Sequence, residues 1–174
     1  MTRLQRVNKY QPDRTMRNEA GDFEICKEYL NKVSRTFALN IQVLRGSAYK
    51  SLLLAYLLCR IADTIEDDAD LPVDLKCDKL RQYADLFPPG TGYVQKISIL
   101  LEDLYFSKRN NDSALVADTE RVFNEFMKLP SPLISSVSAH VKEMTLGMAA
   151  LLAEKREGKI IFLETREELD SYCY

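Results

Sequence analysis

Residues 51 to 68 read SLLLAYLLCRIADTIEDD, an apolar helical pattern that runs directly into a cluster of acids. Leu52, Leu53, Leu54, Leu57, Leu58, Ile61 and Ile65 fall on every side of a helix at about 100° per residue, which predicts a helix buried all round. Against that background Tyr56, Arg60, Asp63 and Asp67 follow at steps of four, three and four, so they form one polar stripe flanked by Glu66. A buried carboxylate is costly unless it is paired or bound to a metal, and the stripe therefore predicts a wet cavity. Asp63 and Asp67, one turn apart, can present oxygens to the same small volume, a donor set suited to Mg²⁺ ions that keep waters and share ligands with a phosphate. The alternative is a solvated helix end at which Arg60 pairs with Asp63. The apolar residues that continue through Ile65 favour the cavity.

The chain has 174 residues, 46% of them hydrophobic, which is enough for one domain, or part of one, with a real core. Its net charge is −2 and its Lys and Arg are scattered among acids, so the basic stripe that nucleic-acid binding needs is missing. Cys26, Cys59, Cys77 and Cys173 lack CxxC spacing, and the start MTRLQRVNKY lacks an apolar signal core. Both point to reduced thiols in a cytoplasmic protein. No run approaches the roughly 18 to 20 apolar residues of a membrane span, so any membrane contact would be peripheral. His140, the single histidine, has no Cys or Ser partner nearby in sequence, and a His-based dyad is excluded.

Residues 1–20 read as a polar arm, and residues 21–174 as a helical domain. Asp22 is placed to cap a helix through FEICKEYLNKV. In the following SRTFALNIQVL, Ser34 can cap or kink the backbone, Arg35 offers a forked cation suited to phosphate, and Phe37, Ile41 and Leu44 are expected to face a core; spacing alone favours the alternative, an ordinary helix with a surface Arg35. Gly46 breaks the pattern before the central helix, and Leu71-Pro72 ends it. Acids at a helix C-terminus crowd the negative end of its dipole, which argues for a cation supplied from elsewhere. Further helices are predicted from Asp74 to Phe87 and from Tyr93 to Phe106, the second burying Val94. Another should run from Asp112 or Ser113 through Met127, and a long one from Ser131-Pro132 to about Lys155. Gly147 inside the long helix suggests close approach of another helix or of a ligand. KIIFLE reads as loop or strand. Thr165 and Glu168 form a capping box for a final helix that reads as cut short at Tyr174.

Four blocks carry a resemblance: SRTF at 34 to 37, YLLCRIADTIED at 56 to 67, EMTLGMA at 143 to 149 and YCY at 172 to 174. In that order and spacing they resemble the squalene and phytoene synthase family, with the acidic block closer to the squalene-forming members. The resemblance implies an all-α isoprenoid synthase fold, of which these residues make up the N-terminal part, with a cavity flanked by two acidic motifs holding Mg²⁺ and the diphosphates of two prenyl donors. Asp63, Glu66 and Asp67 match the first acidic motif. Ser34, Arg35 and Phe37 match a block that holds diphosphate and prenyl chain, Tyr56 and Arg60 match cavity residues, and Tyr172 matches a tyrosine associated with catalysis. The implied reaction is Mg²⁺-dependent condensation of two farnesyl diphosphates, with NADPH in the squalene-forming members. The second acidic motif has no counterpart in these 174 residues, which makes this chain alone an expected non-catalyst. Competing readings are a phytoene or dehydrosqualene synthase-type condensation, a non-catalytic helical module that binds a prenyl diphosphate, and an ordinary helical interaction domain.

Overall fold

The computed structural model describes residues 21–34, 36–106, 109–156 and 165–173, with the side chains of residues 155, 156, 168 and 171–173 excepted. Among the described residues all regular structure is helical. The elements are α1 (Asp22–Val33), α2 (Thr36–Gln42), α3 (Gly46–Asp67), α4 (Val73–Ala84), α5 (Tyr93–Leu101), α6 (Asn111–Ala117), α7 (Thr119–Phe126), α8 (Ser131–Arg156) and α9 (Arg166–Cys173).

The 22-residue helix α3 is the hub and packs against α1, α2, α4, α6, α7 and α8. Leu53, Leu54, Leu57, Leu58, Ile61 and Ile65 have no solvent exposure, so the apolar pattern of the quoted stretch does become the core. Burying each such side chain contributes about 1.5–3 kcal/mol. Leu52 is the exception: it is 47% exposed, because α3 leaves one side uncovered near its N-terminus. Gly46 opens α3 at φ +60°, a left-handed conformation that glycine adopts without steric cost.

Helix α4 crosses from α3 to α8, and its contact with α8 is the most extensive between any two helices. Tyr83, in the last turn of α4, is fully buried and donates its hydroxyl to the Leu58 carbonyl of α3 at 2.9 Å. Burial raises the Tyr83 pKa well above its usual value, so the phenol stays a donor. Its ring meets Phe87 edge-on at 5.4 Å, and Phe87 meets Phe123 at 5.2 Å, which ties α4 to α7 through aromatic contacts. On the far side Glu125 of α7, with a side chain 5% exposed, accepts from Lys50 of α3 at 2.8 Å and from Lys128.

Several local expectations are corrected. Asp22 is the first residue of α1, not its cap; Gly21 takes the cap position, and Asp22 instead pairs with Arg121 at 3.2 Å and accepts from Asn124. Val94 is 44% exposed, since α5 turns Ile97 and Leu100 to the core. The helices from Val73 and from Tyr93 stop at Ala84 and Leu101, short of Phe87 and Phe106. The span from Asp112 to Met127 is two helices, broken at Asp118, which ends α6 at φ −95° and ψ 18° and serves as the N-cap position of α7. Gly147 has no described atom within 4 Å of where a Cβ would lie, so nothing among the described residues approaches it closely. The long helix runs as expected, from Ser131 to Arg156. His140 lies exposed on α8, and Cys26, Cys59 and Cys77 are free thiols. KIIFLE lies outside the described residues. Among the described residues no helix is long and apolar enough to cross a membrane.

Candidate functional site

Tyr56, Arg60, Asp63 and Asp67 all lie on the continuous helix α3, so their one-stripe arrangement holds. Arg60 is its hinge point. The guanidinium Nε donates to Asp112 Oδ1 of α6 at 3.0 Å, while Nη1 stands 4.0 Å from Asp63 Oδ2. Burial alone lowers the Arg60 pKa, but the hydrogen bond and charge of Asp112, followed by the charges of Tyr56 and Asp63, outweigh it and leave the pKa raised. Arg60 is therefore a fixed cation.

A cavity of about 260 Å³ opens between the C-terminal turn of α3 and the N-terminus of α6, lined by Arg60, Thr64, Asp67, Phe106, Asn110 and Asp112 among others. Of the four stripe residues, Arg60 and Asp67 line this cavity, and Asp63 and Tyr56 are not among its lining. At about 100° per residue Asp63 and Tyr56 lie about 60° and 40° to one side of Arg60, whereas Thr64 lies about 40° to the other. Asp67, about 20° to the same side as Asp63, lines the cavity together with Arg60 and Thr64.

Asp63 is half-buried, and burial is the largest cause of a pKa raised above the usual carboxylate value; the charges of Asp67 and Glu66 add to it, and Arg60 opposes it. A cation bound nearby would reverse both effects. The donor set is all oxygen, as a hard divalent ion requires. No three His, Cys, Asp or Glu among the described residues come close enough to enclose a metal by themselves. The fit is thus to an ion that keeps most of its waters and takes one or two carboxylates plus a ligand's phosphate, which is the usual mode of Mg²⁺. Asp63 and Asp67 would hold it, with Glu66 beside them. Asp67 is exposed at the last turn of α3.

The cation that the crowded C-terminus of α3 calls for is in part Lys76. This buried side chain reaches back from α4 and donates to the Glu66 carbonyl at 2.6 Å. Asp68 closes the same end by accepting from the backbone amides of Asp70 at 2.9 Å and Leu71 at 3.0 Å. Neither Lys76 nor the role of Asp112 emerges from the sequence reading. Lys76 looks like one more solvated lysine in DLKCDKL, and Asp112 like a helix cap. In fact Asn110 caps α6 in a reciprocal box with Ser113, at 2.8 and 3.0 Å, which releases Asp112 for Arg60.

Ser34 is buried in extended backbone at the end of α1, where its amide donates to Leu30 at 3.1 Å; this is the kink that SRTF allows. Phe37 is 60% exposed, a correction to its expected core position. It turns outward on α2, which buries Ala38 and Ile41 instead, and its ring lies 5.7 Å from that of Tyr56 at 33°. The Tyr56 hydroxyl donates to the Val33 carbonyl at 3.5 Å, so the end of α1 is tied to the N-terminal part of the polar stripe. Arg35 lies outside the described residues. Tyr172 is on α9, but its side chain lies outside them, as does that of Glu168 in the expected capping box. Cys59, one residue before Arg60, is no nucleophile: burial, with a smaller contribution from Asp63, pushes its thiol up to about 11.

Comparison with known proteins follows the same geography. A family model for squalene/phytoene synthase matches residues 30–174. Squalene synthase of Schizosaccharomyces pombe is 31% identical over 154 residues, which cover 86% of this chain and 30% of the relative. A protein of Arabidopsis thaliana named inactive squalene synthase 2 is 28% identical over 150 residues, covering 86% of this chain and 32% of its own. A solved structure of TcSQS with the ligand E5700 superposes with a TM-score of 0.68 at 24% identity, over 87% of this chain and 40% of that one. At that identity the likeness is one of fold. The chain spans about a third of the length of the curated relatives it matches.

Proposed function

The chain belongs to the squalene/phytoene synthase family and has its all-α isoprenoid synthase fold, and from that premise we propose that it is the first diphosphate-binding half of a squalene synthase-like prenyltransferase. The reaction is the head-to-head condensation of two farnesyl diphosphates to presqualene diphosphate, followed by NADPH-dependent reduction to squalene. The observation that carries this reading is the acidic stripe of α3, set within the matched residues 30–174 on the helix that forms the core. Bound Mg²⁺ supplies charge stabilisation for the departing diphosphate.

The chain's own residues do the rest. Asp63, Glu66 and Asp67 gather negative charge where the ion is needed, and Arg60 adds a fixed cation at the cavity edge. Phe37 and Tyr56 pair their rings on the adjoining stretch of α3 and offer an apolar, electron-rich wall suited to a prenyl chain and to developing positive charge. Ser34 ends α1 just before Phe37, and Arg35 contributes a forked cation for a diphosphate. Tyr172 is assigned to the catalytic steps on the strength of its motif. These 174 residues hold one acidic motif, so one of the two diphosphates lacks its wall, and condensation of two donors requires both to be held in register. The chain alone is therefore inactive.

A second reading, a non-catalytic prenyl diphosphate-binding module, is favoured by the similarity to a relative whose name declares it inactive. Product analysis separates the two. Residues 1–174, alone and joined to the C-terminal remainder of the Schizosaccharomyces pombe relative, are incubated with farnesyl diphosphate, Mg²⁺ and NADPH. The joined protein should release diphosphate and form presqualene diphosphate or squalene, and the short chain should form neither. A cooperatively folded joined protein without product would overturn the enzyme reading; product from the short chain would overturn its inactivity.

A further inference from the structure

Arg60 and Asp63 are three residues apart on α3, the spacing at which a helix brings opposite charges into contact. They nonetheless stand 4.0 Å apart, while Arg60 spends its Nε hydrogen on Asp112, 52 residues away in sequence, at 3.0 Å. We propose that Asp112 is a positioning residue that holds Arg60 off Asp63 and so keeps the Asp63 carboxylate open to a divalent cation. This rests on the cation-binding role proposed above for Asp63 and extends it to a residue outside the acidic motif.

Asp112 is built to stay where it is. It sits in the first turn of α6 between Asn110 and Ser113, whose side chains and amides bond reciprocally at 2.8 and 3.0 Å. Leu115 and Val116 of the same helix are fully buried. Tyr29 of α1 donates its hydroxyl to the Ala114 carbonyl at 3.1 Å and to Asp118 at 2.8 Å, fastening α6 at its middle and its end. The carboxylate of Asp112 is thus a fixed post, and Arg60 the movable arm. Without that post Arg60 has one acid within reach on its own helix, and a modest rotation would close the 4.0 Å gap. A guanidinium in direct contact with Asp63 competes with any cation for the same oxygens.

The test uses the 174-residue chain with Mn²⁺, counted free or bound by its paramagnetic resonance signal, and a nitrogen-15 spectrum of arginine Nε–H groups with Arg60 assigned through Arg60→Lys. In the wild type the Arg60 Nε–H should exchange slowly with water, and in Asp112→Ala it should exchange fast. Mn²⁺ affinity should fall about tenfold in Asp112→Ala, the cost expected of one charge-assisted hydrogen bond. Asp112→Asn, which keeps the shape and one acceptor oxygen, should fall less in the same direction, and it serves if the alanine variant does not fold. In an Arg60→Ala background, adding Asp112→Ala should change Mn²⁺ affinity by less than about twofold, the limit of additivity for uncoupled sites. A merely structural Asp112 would weaken binding equally in both backgrounds. Unchanged or tighter binding in Asp112→Ala, or a loss that persists without Arg60, overturns the inference and leaves the cation assignment standing. A wild type that shows the protected Arg60 signal but binds no Mn²⁺ refutes the cation assignment and, with it, the purpose proposed for Asp112.

Discussion

Asp63→Asn should make the protein more stable in EDTA and less stable in Mg²⁺. In the absence of a divalent ion, the Asp63 charge is opposed by Asp67 one turn away, a like-charge pair worth about 0.2–0.5 kcal/mol. It also lies near the negative end of α3, which has no basic residue in its last turn, a further cost of about 0.3–1 kcal/mol. Against these stands Arg60 at 4.0 Å, a partly exposed pair worth about 0–1 kcal/mol. The balance favours asparagine by about 0.5 kcal/mol, kept small by solvent screening of a side chain that is 35% exposed. With Mg²⁺ at about 10 mM and a site Kd of about 1 mM, the wild type gains about 1.4 kcal/mol that the variant lacks. The order of stability should therefore reverse, with the wild type ahead by about 1 kcal/mol. The chain contains no tryptophan, so urea unfolding is best followed by far-ultraviolet circular dichroism. A variant that is less stable than the wild type in EDTA, or that gains as much from Mg²⁺, would refute the reasoning.

Four further outcomes follow from the packing. Leu57→Ala should cost about 2–5 kcal/mol, whereas Leu52→Ala, at a 47% exposed position five residues earlier, should cost less than about 0.5 kcal/mol in the same urea assay. Gly147→Ala should stabilise this chain by up to about 1 kcal/mol, since no described atom would meet the new methyl group; a loss of stability would show an unseen close contact. Tyr83→Phe should cost about 0.5–1.5 kcal/mol through the bond to Leu58, read as a lower thermal midpoint. Burial pushes the Glu125 pKa up, but the bonds from Lys128 and Lys50 outweigh it and hold it below its usual value. Its contribution is therefore present above the unfolded carboxylate pKa of about 4.3 and is lost as pH falls through the lower folded value. Glu125→Gln should flatten the acid limb of the stability profile there, and an unchanged limb would contradict the assignment.

What is legible in the sequence is legible through period. The core residues Leu53 to Ile65 and the polar stripe follow from spacing along one helix, the start of α8 follows from Ser131-Pro132, and the structure keeps them. Errors arise where a residue's fate depends on another element. Leu52 and Val94 are apolar and in register, but no described helix covers them. Phe37 fits a core period, yet α2 is short and turns its ring toward Tyr56. The roles of Lys76 and Asp112 belong to contacts made ten and 52 residues away, which no local pattern encodes. A signal exists for one of them: Asn110 followed three residues later by Ser113 is a complete capping box, which leaves Asp112 without a capping task.

The central claim is that α3 carries a cation-dependent diphosphate site, and calorimetric titration of farnesyl diphosphate into the chain tests it most directly. The account predicts binding in Mg²⁺, none in EDTA, and at least about a tenfold loss in Asp63→Asn with Mg²⁺ present, one charged oxygen ligand having been removed. Equal heats with and without Mg²⁺, or an Asp63→Asn titration that overlays the wild type, would contradict it.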